Sequence, residues 1–198
     1  MSRQARDEHE KAKYQEGFTS GKAVCTMNWG RAFYNAIEDL GVKTILDVGC
    51  GSGAFCLDMV TIFEATHAYG IDVASVSLDL VPKNHPDLTF FDGSATKLPL
   101  QDDAVEWVAS FDVLEHIQPE DVDQVLDEIT RVSTKGLLLT ISHRLSNEIV
   151  NGENLHATVQ PLSWWQAKLE SRGWNVTPLG ESAIKGSGKD SKLVCKRA

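Results

Sequence analysis

Thr44-Ile45-Leu46-Asp47-Val48-Gly49-Cys50-Gly51-Ser52-Gly53-Ala54-Phe55 is the stretch whose reading decides the fold. Ile45, Leu46 and Val48 form a short apolar run suited to a buried parallel strand. Gly49, Gly51 and Gly53 then break that run within five residues. Glycine tolerates positive φ and lets a ligand approach the backbone with no Cβ in the way. Beyond Gly53, the residues Phe55, Leu57, Met59, Val60 and Phe63 supply one apolar face of a helix over 53–64. Strand, glycine turn and helix open a nucleotide-binding α/β unit.

The spacing is G-x-G-x-G with Asp47 two residues before it, not the G-x-G-x-x-G of dinucleotide sites. A carboxylate there sits badly beside a pyrophosphate and well beside a cation. The segment resembles motif I of the class I S-adenosylmethionine (SAM)-dependent methyltransferases, and SAM carries a sulfonium and an ammonium. The resemblance implies cofactor contacts at Asp47, Gly49, Cys50, Gly51 and Gly53. A second strand over His67–Ile71 ends at Asp72, 19 positions after Gly53 (72 − 53). An acid so placed can accept hydrogen bonds from ribose hydroxyls. Tyr-Gly-Ile-Asp-Val resembles motif II, which adds Val73. A third strand, 88–91, leads into Asp92-Gly93-Ser94. In the resembled family this acid accepts from the adenine amino group, and the next residues offer backbone contacts to the ring. After a fourth strand, 105–110, Phe111-Asp112-Val113-Leu114-Glu115-His116 resembles the D-x-L-E-H segment of small-molecule methyltransferases, including the ubiquinone-pathway O-methyltransferases. The resemblance puts Phe111 and Asp112 beside the methionine part of SAM and His116 near the acceptor. It covers about residues 40–142, and it is specific for the cofactor rather than for the acceptor.

The remaining chain fits the same plan. Strands alternating with helices imply a three-layer, Rossmann-like α/β sandwich, with a mostly parallel seven-stranded sheet closed by a C-terminal antiparallel hairpin. Pro119–Val132 reads as a helix closed by Lys135-Gly136, followed by a strand over 137–141. Two late strands begin near Gly173 and Lys192. The whole chain reads as a single domain: an N-terminal arm over 1–30, the SAM-binding core over 31–142, an acceptor loop over 143–160, and a C-terminal helix and strands over 161–198. The arm carries Tyr14, Phe18 and Trp29, and with the long polar loop it is expected to roof the cofactor.

The chemistry expected is methyl displacement from SAM to a small-molecule or sugar acceptor, at O or N. His116, His143 and His156 are the candidate bases, since histidine alone titrates near neutrality unperturbed. Asn154-Leu155-His156-Ala157-Thr158 with Trp164-Trp165 resembles a pattern in bacterial methyltransferases linked to glycan modification. Asp112, Glu115 and His116 with a later histidine could form a mixed O/N site for a divalent ion. Related segments bind magnesium in some ubiquinone-pathway and RNA 2′-O-methyltransferases, while many relatives with the same letters are metal-free; no metal is assigned.

Composition narrows the partners. The 198 residues carry a net charge of −9, which disfavours nucleic acid, whose affinity comes chiefly from phosphate contacts. Phe111-Asp112-Val113-Leu114 is not the Asp-Pro-Pro-aromatic segment of amino-base DNA methyltransferases. No cysteine follows a proline, as a cytosine-C5 enzyme requires. The alternatives are an RNA ribose methyltransferase and a non-catalytic SAM-binding regulatory module. Four cysteines without metal spacing, no apolar run near the roughly 18 residues of a membrane span, and no signal-like start lead to a cytoplasmic expectation with no membrane partner. Oligomeric state is left open.

Overall fold

The computed structural model describes residues 2–20, 32–79, 85–183 and 189–198. Trp29 and Cys25 lie outside the described residues, as do residues 184–188. The chain begins with α1 (Arg3–Thr19) and α2 (Tyr34–Leu40). The units β1 (Thr44–Val48), α3 (Ala54–Thr61), β2 (His67–Asp72), β3 (Leu88–Asp92), β4 (Val105–Phe111), α4 (Val122–Val132) and β5 (Ser133–Ser142) follow. A short hairpin, β6 (Ile149–Val150) and β7 (Glu153–Asn154), precedes α5 (Leu162–Glu170), β8 (Trp174–Ala183) and β9 (Lys189–Arg197).

The sheet runs β3-β2-β1-β4-β5-β9-β8. β1 to β5 pair in parallel, while β9 is antiparallel to both β5 and β8. Successive strand residues face opposite layers. Leu46, Val108, Leu137 and Leu139 pack with Val125 and Ile129 of α4 and Trp165 of α5. Ile45, Trp107 and Leu138 pack with Phe33, Ile37 of α2 and Met59 of α3. Both faces are covered, which explains why the strands read as continuous apolar runs. Each such fully buried side chain contributes about 1.5–3 kcal/mol.

Three boundaries depart from expectation. β5 starts at Ser133, so Lys135-Gly136 lies inside the strand and does not close α4. Gly136 is there because a Cβ would stand 2.1 Å from the Trp107 ring on the neighbouring strand. α4 begins at Val122 rather than at Pro119, since Gln118–Asp121 forms a turn held by the Asp121 N–H on the Gln118 carbonyl. The 143–160 loop contains the β6–β7 hairpin, whose Asn151-Gly152 turn has φ of 53° and 82°. Asn-Gly suits that turn because both residues tolerate the left-handed region. Pro178 is tolerated in β8 because the strand is an edge, and the register shifts between Pro178 and Glu181.

Candidate functional site

The glycine turn joins β1 to α3. Gly49, Gly51 and Gly53 have φ of 78°, 51° and 72°. A Cβ on Gly49 would stand 2.3 Å from Val113 Cγ2, so the turn after β4 packs directly on the turn after β1. The N–H groups of Gly49 and Cys50 both donate to the Ile71 carbonyl, at 2.8 and 3.1 Å. The Cys50 thiol is buried and raised well above its ordinary range by desolvation.

Asp72 ends β2 and is 9% exposed. Its Oδ2 accepts from the Gly51 N–H at 2.9 Å, and its Oδ1 from the Ala74 N–H at 2.8 Å. It therefore ties the glycine turn to the β2 turn, and the Ser77 hydroxyl also bonds this carboxylate. Burial raises its carboxyl, and the two backbone donors oppose that rise. Asp47, 3% exposed, is pushed up to about 8 by burial and by the charge of Asp72. Val73 is half-buried beside them.

α1 lies across the strand ends. Lys11 Nζ donates to both oxygens of Asp92, at 2.8 and 2.7 Å. Gln15 Nε2 donates to Ser75 Oγ at 2.6 Å, after β2. Ser94 Oγ donates to Asp7 Oδ1 at 3.3 Å, and the Gly93 N–H donates to the Asp72 carbonyl at 3.0 Å. After β4, Arg6 donates from Nε and Nη2 to the two oxygens of Asp121, at 2.8 and 2.6 Å. A single helix thus touches the turns after β2, β3 and β4.

The end of β4 carries the titratable cluster. Phe111 turns its ring into the core, 5.2 Å from Phe33 and 4.9 Å from Phe55 between centroids. Asp112 follows at φ 60°, held by its N–H on Thr140 Oγ1 at 2.8 Å. Glu115 is fully buried. Its Oε1 accepts from the Ser142 N–H at 2.7 Å, and its Oε2 has no partner. Burial, and then the neighbouring Asp112 charge, raise its carboxyl well above the usual range. His116 is held down to about 4, first by burial, so its ring is neutral at pH 7. The ring bonds the Leu155 backbone, and its Nδ1 is buried without a partner. His156 donates from Nδ1 to the Arg144 carbonyl at 2.6 Å, which leaves a lone pair on Nε2. The two imidazole centroids stand 4.7 Å apart. Asp112, Glu115, His116 and His156 each offer a ligand atom, all within 4.8 Å of one another. His156 is the later histidine whose place beside Asp112, Glu115 and His116 spacing alone leaves open.

His143 does not join them. Its Nδ1 meets the Gln160 carbonyl and its Nε2 the Ser191 hydroxyl, both at 2.8 Å, so both ring nitrogens are committed to pinning the loop onto β9. Two α1 residues join the cluster, Tyr14 of the expected roof and Lys13, which the sequence reading does not single out. Lys13 is 1% exposed and lies 2.7 Å from Glu10 Oε2. Tyr14 sets its ring edge against His116 at 5.8 Å, and its hydroxyl is buried without a partner. A lysine in a charged helix reads as a solvated face, so no sequence signal marks Lys13.

Comparison with known proteins agrees with this fold. A family described as a methyltransferase domain matches residues 45–136. The demethylmenaquinone methyltransferase of Streptomyces avermitilis is 33% identical over 110 residues, 54% of this chain and 45% of that protein. The phthiotriol/phenolphthiotriol dimycocerosates methyltransferase of Mycobacterium tuberculosis is 31% identical over 137 residues, 67% of this chain and 50% of that protein. The chain thus spans about half the length of the curated relatives it matches. A crystal structure of an S-adenosylmethionine-dependent methyltransferase from Listeria monocytogenes superimposes with a TM-score of 0.70 at 15% identity, covering 85% of this chain and 97% of that one. At that identity the likeness is one of fold.

Proposed function

We propose, from the class I SAM-dependent methyltransferase domain that this chain carries, that it transfers the SAM methyl group to an oxygen or nitrogen of a small-molecule or sugar acceptor. The observation that carries this reading is one continuous row of groups along the carboxyl ends of the strands. It begins with Asp92 and Asp72, passes the glycine turn, and ends in the neutral His116, whose Nδ1 has no partner. Ligands of open α/β sheets bind along that edge.

Each residue has a task in this reading. In this reading Asp72 receives the ribose hydroxyls, Asp92 the adenine amine, and Asp47 faces the cationic end of the cofactor. SAM is an activated donor, so the protein chiefly aligns the acceptor with the methyl group and excludes water. His116 Nδ1 is placed to take the proton that an acceptor hydroxyl or ammonium gives up. The Asp112 charge, which favours a protonated His116, then stabilises the imidazolium. The partnerless Glu115 Oε2 and His116 Nδ1, with Asp112 and His156, also fit a divalent cation. Such an ion, when bound, would polarise an acceptor hydroxyl. The names of the curated relatives, a menaquinone precursor and lipid methyltransferases, favour a small-molecule acceptor.

The test is a radiolabelled methyl transfer from SAM to metabolite extracts, RNA and DNA in parallel. Label is expected in small molecules. Label confined to nucleic acid overturns the acceptor class, and no label in any fraction from a protein that binds SAM favours a regulatory module.

A further inference from the structure

Where β5 ends and β9 begins, Ser142 Oγ, Asp190 Oδ1 and Arg144 Nε are buried without a hydrogen-bond partner. Ser142 is the last residue of β5 and is 2% exposed. It stands opposite Asp190, the second residue of β9. Directly opposed residues of an antiparallel pair share a face, with Cβ atoms about 4.5–5.5 Å apart. A diagonal bond from His143 Nε2 to Ser191 Oγ, at 2.8 Å, ties the two strands together beside them. The same face runs through Thr140 and Lys192 to Leu138 and Val194, which lie in the core layer under α2 and α3. It therefore turns from apolar to polar towards the carboxyl end of β5.

This polar end adjoins the titratable cluster. The Ser142 N–H donates to Glu115 Oε1 at 2.7 Å, and Thr140 Oγ1 accepts from the Asp112 N–H at 2.8 Å. Arg144 joins from the loop, where its carbonyl accepts from His156 Nδ1 at 2.6 Å. Ser142 and Arg144 are thus each one hydrogen bond from the group formed by Asp112, Glu115, His116 and His156, and Asp190 is one strand further across.

The orphaned atoms differ in kind. A carboxylate oxygen only accepts, a guanidinium Nε only donates, and a serine hydroxyl does both. A phosphate or carboxylate ligand would meet Asp190 as a like charge. An ammonium would leave Arg144 Nε without an acceptor. Hydroxyl groups donate and accept, so they answer all three. Buried polar side chains seldom lack a partner, and here a ligand would complete them. We propose that Ser142 and Asp190, with Arg144, form an acceptor subsite that grips hydroxyl groups of a polyhydroxylated acceptor beside the group that is methylated. The inference rests on the methyltransferase reading and deepens it: the subsite orients the acceptor, while His116 handles its proton.

The test uses the full chain, radiolabelled SAM and a metabolite extract. Periodate cleaves vicinal diols, so one portion of the extract is oxidised and quenched before protein and SAM are added. Label transfer should fall at least tenfold in that portion. With untreated extract, Asp190→Ala should raise the extract concentration for half-maximal labelling about tenfold, and Ser142→Ala about three- to tenfold, the size of one lost hydrogen bond. Labelling at saturation, and S-adenosylhomocysteine (SAH) affinity by calorimetry, should stay within about twofold. Asp190→Asn keeps the side-chain shape and serves if the alanine variant does not fold. Labelling that survives periodate overturns the inference, as do variants with the wild-type half-saturation or with losses shared equally by SAH affinity. Absence of label in any small molecule, from wild type that binds SAH, overturns it too. If folded wild type binds neither SAM nor SAH, the methyltransferase reading itself fails.

Discussion

The two halves of the candidate site are built differently. On the cofactor side, geometry comes from backbone held by close neighbours: three glycines at positive φ within five residues, the Ile71 carbonyl, and the two N–H groups on Asp72. On the acceptor side it comes from side chains far apart in sequence. His116 meets His156 across 40 positions (156 − 116), and Arg6 meets Asp121 across 115. Local backbone geometry tolerates few residue types, so it leaves a readable pattern. A long-range side-chain cluster leaves none.

If that division holds, the largest effect of a single change should fall on turnover alone. His116→Ala and His156→Ala should each lower methyl transfer by about 10²–10⁴-fold, the usual contribution of a positioned acid–base group. SAH affinity should stay within about twofold, since neither ring touches the glycine turn. A parallel loss of SAH affinity would merge the two halves.

The next effect belongs to the cofactor side. Gly49→Ala would put a Cβ 2.3 Å from Val113 Cγ2 on a residue at φ 78°. Left-handed strain and overpacking together should cost about 3 kcal/mol of stability, read as a lower denaturation midpoint. SAM binding should weaken with it. A variant that is destabilised but binds normally would mean that the turn is structural only.

Asp47 sharpens the comparison through pH. Its folded carboxyl is raised from 3.8 to about 8, so at pH 7 it is mostly protonated. A group raised on folding contributes stability that is full below its unfolded value and lost as pH rises through its folded value. Stability should therefore decline between about pH 4 and 8 in wild type relative to Asp47→Asn. A cationic ligand favours the ionised form, so SAM binding should expel close to one proton near pH 7, and affinity should rise towards pH 8 and then level. Calorimetry in buffers of different ionisation heat counts that proton. Taking the difference from Asp47→Asn removes the ligand's own titration. An identical proton count in both proteins would place the cofactor charge away from Asp47.

What was legible in the sequence follows the same line. The strand-turn-helix at 44–61, the acid 19 positions beyond Gly53, and the order of five parallel strands could be read because each rests on local pattern. Gly136 misled because its cause, the Trp107 ring, sits on another strand. The β6–β7 hairpin carries a turn signal in Asn151-Gly152, yet the sequence reading treats 143–160 as one polar loop. His143 and His156 look alike in sequence. Only the fold shows that Gln160 and Ser191 hold the first while Arg144 turns the second towards His116. Tyr14 and Lys13 reach the site only because α1 folds back over the sheet edge.

The smallest expected effect tests where the boundary between the halves runs. Lys11 comes from α1, yet it holds both oxygens of Asp92, the acid assigned to the adenine amine. Both side chains are 41% exposed. Such a pair contributes about 0–1 kcal/mol and weakens with salt, so Lys11→Ala should barely move the denaturation midpoint. Its effect on SAH is the informative one. If the cofactor seat is complete without α1, the lysine competes with adenine for Asp92. Its removal should then tighten SAH by about twofold at low salt, a fraction of a kcal/mol, and the gain should vanish near 1 M salt as screening removes the competition. If SAH binding weakens instead, Lys11 acts with the adenine rather than against it. The helix would then be part of the cofactor seat as well as the roof of the acceptor side, and local backbone would no longer suffice to build that seat.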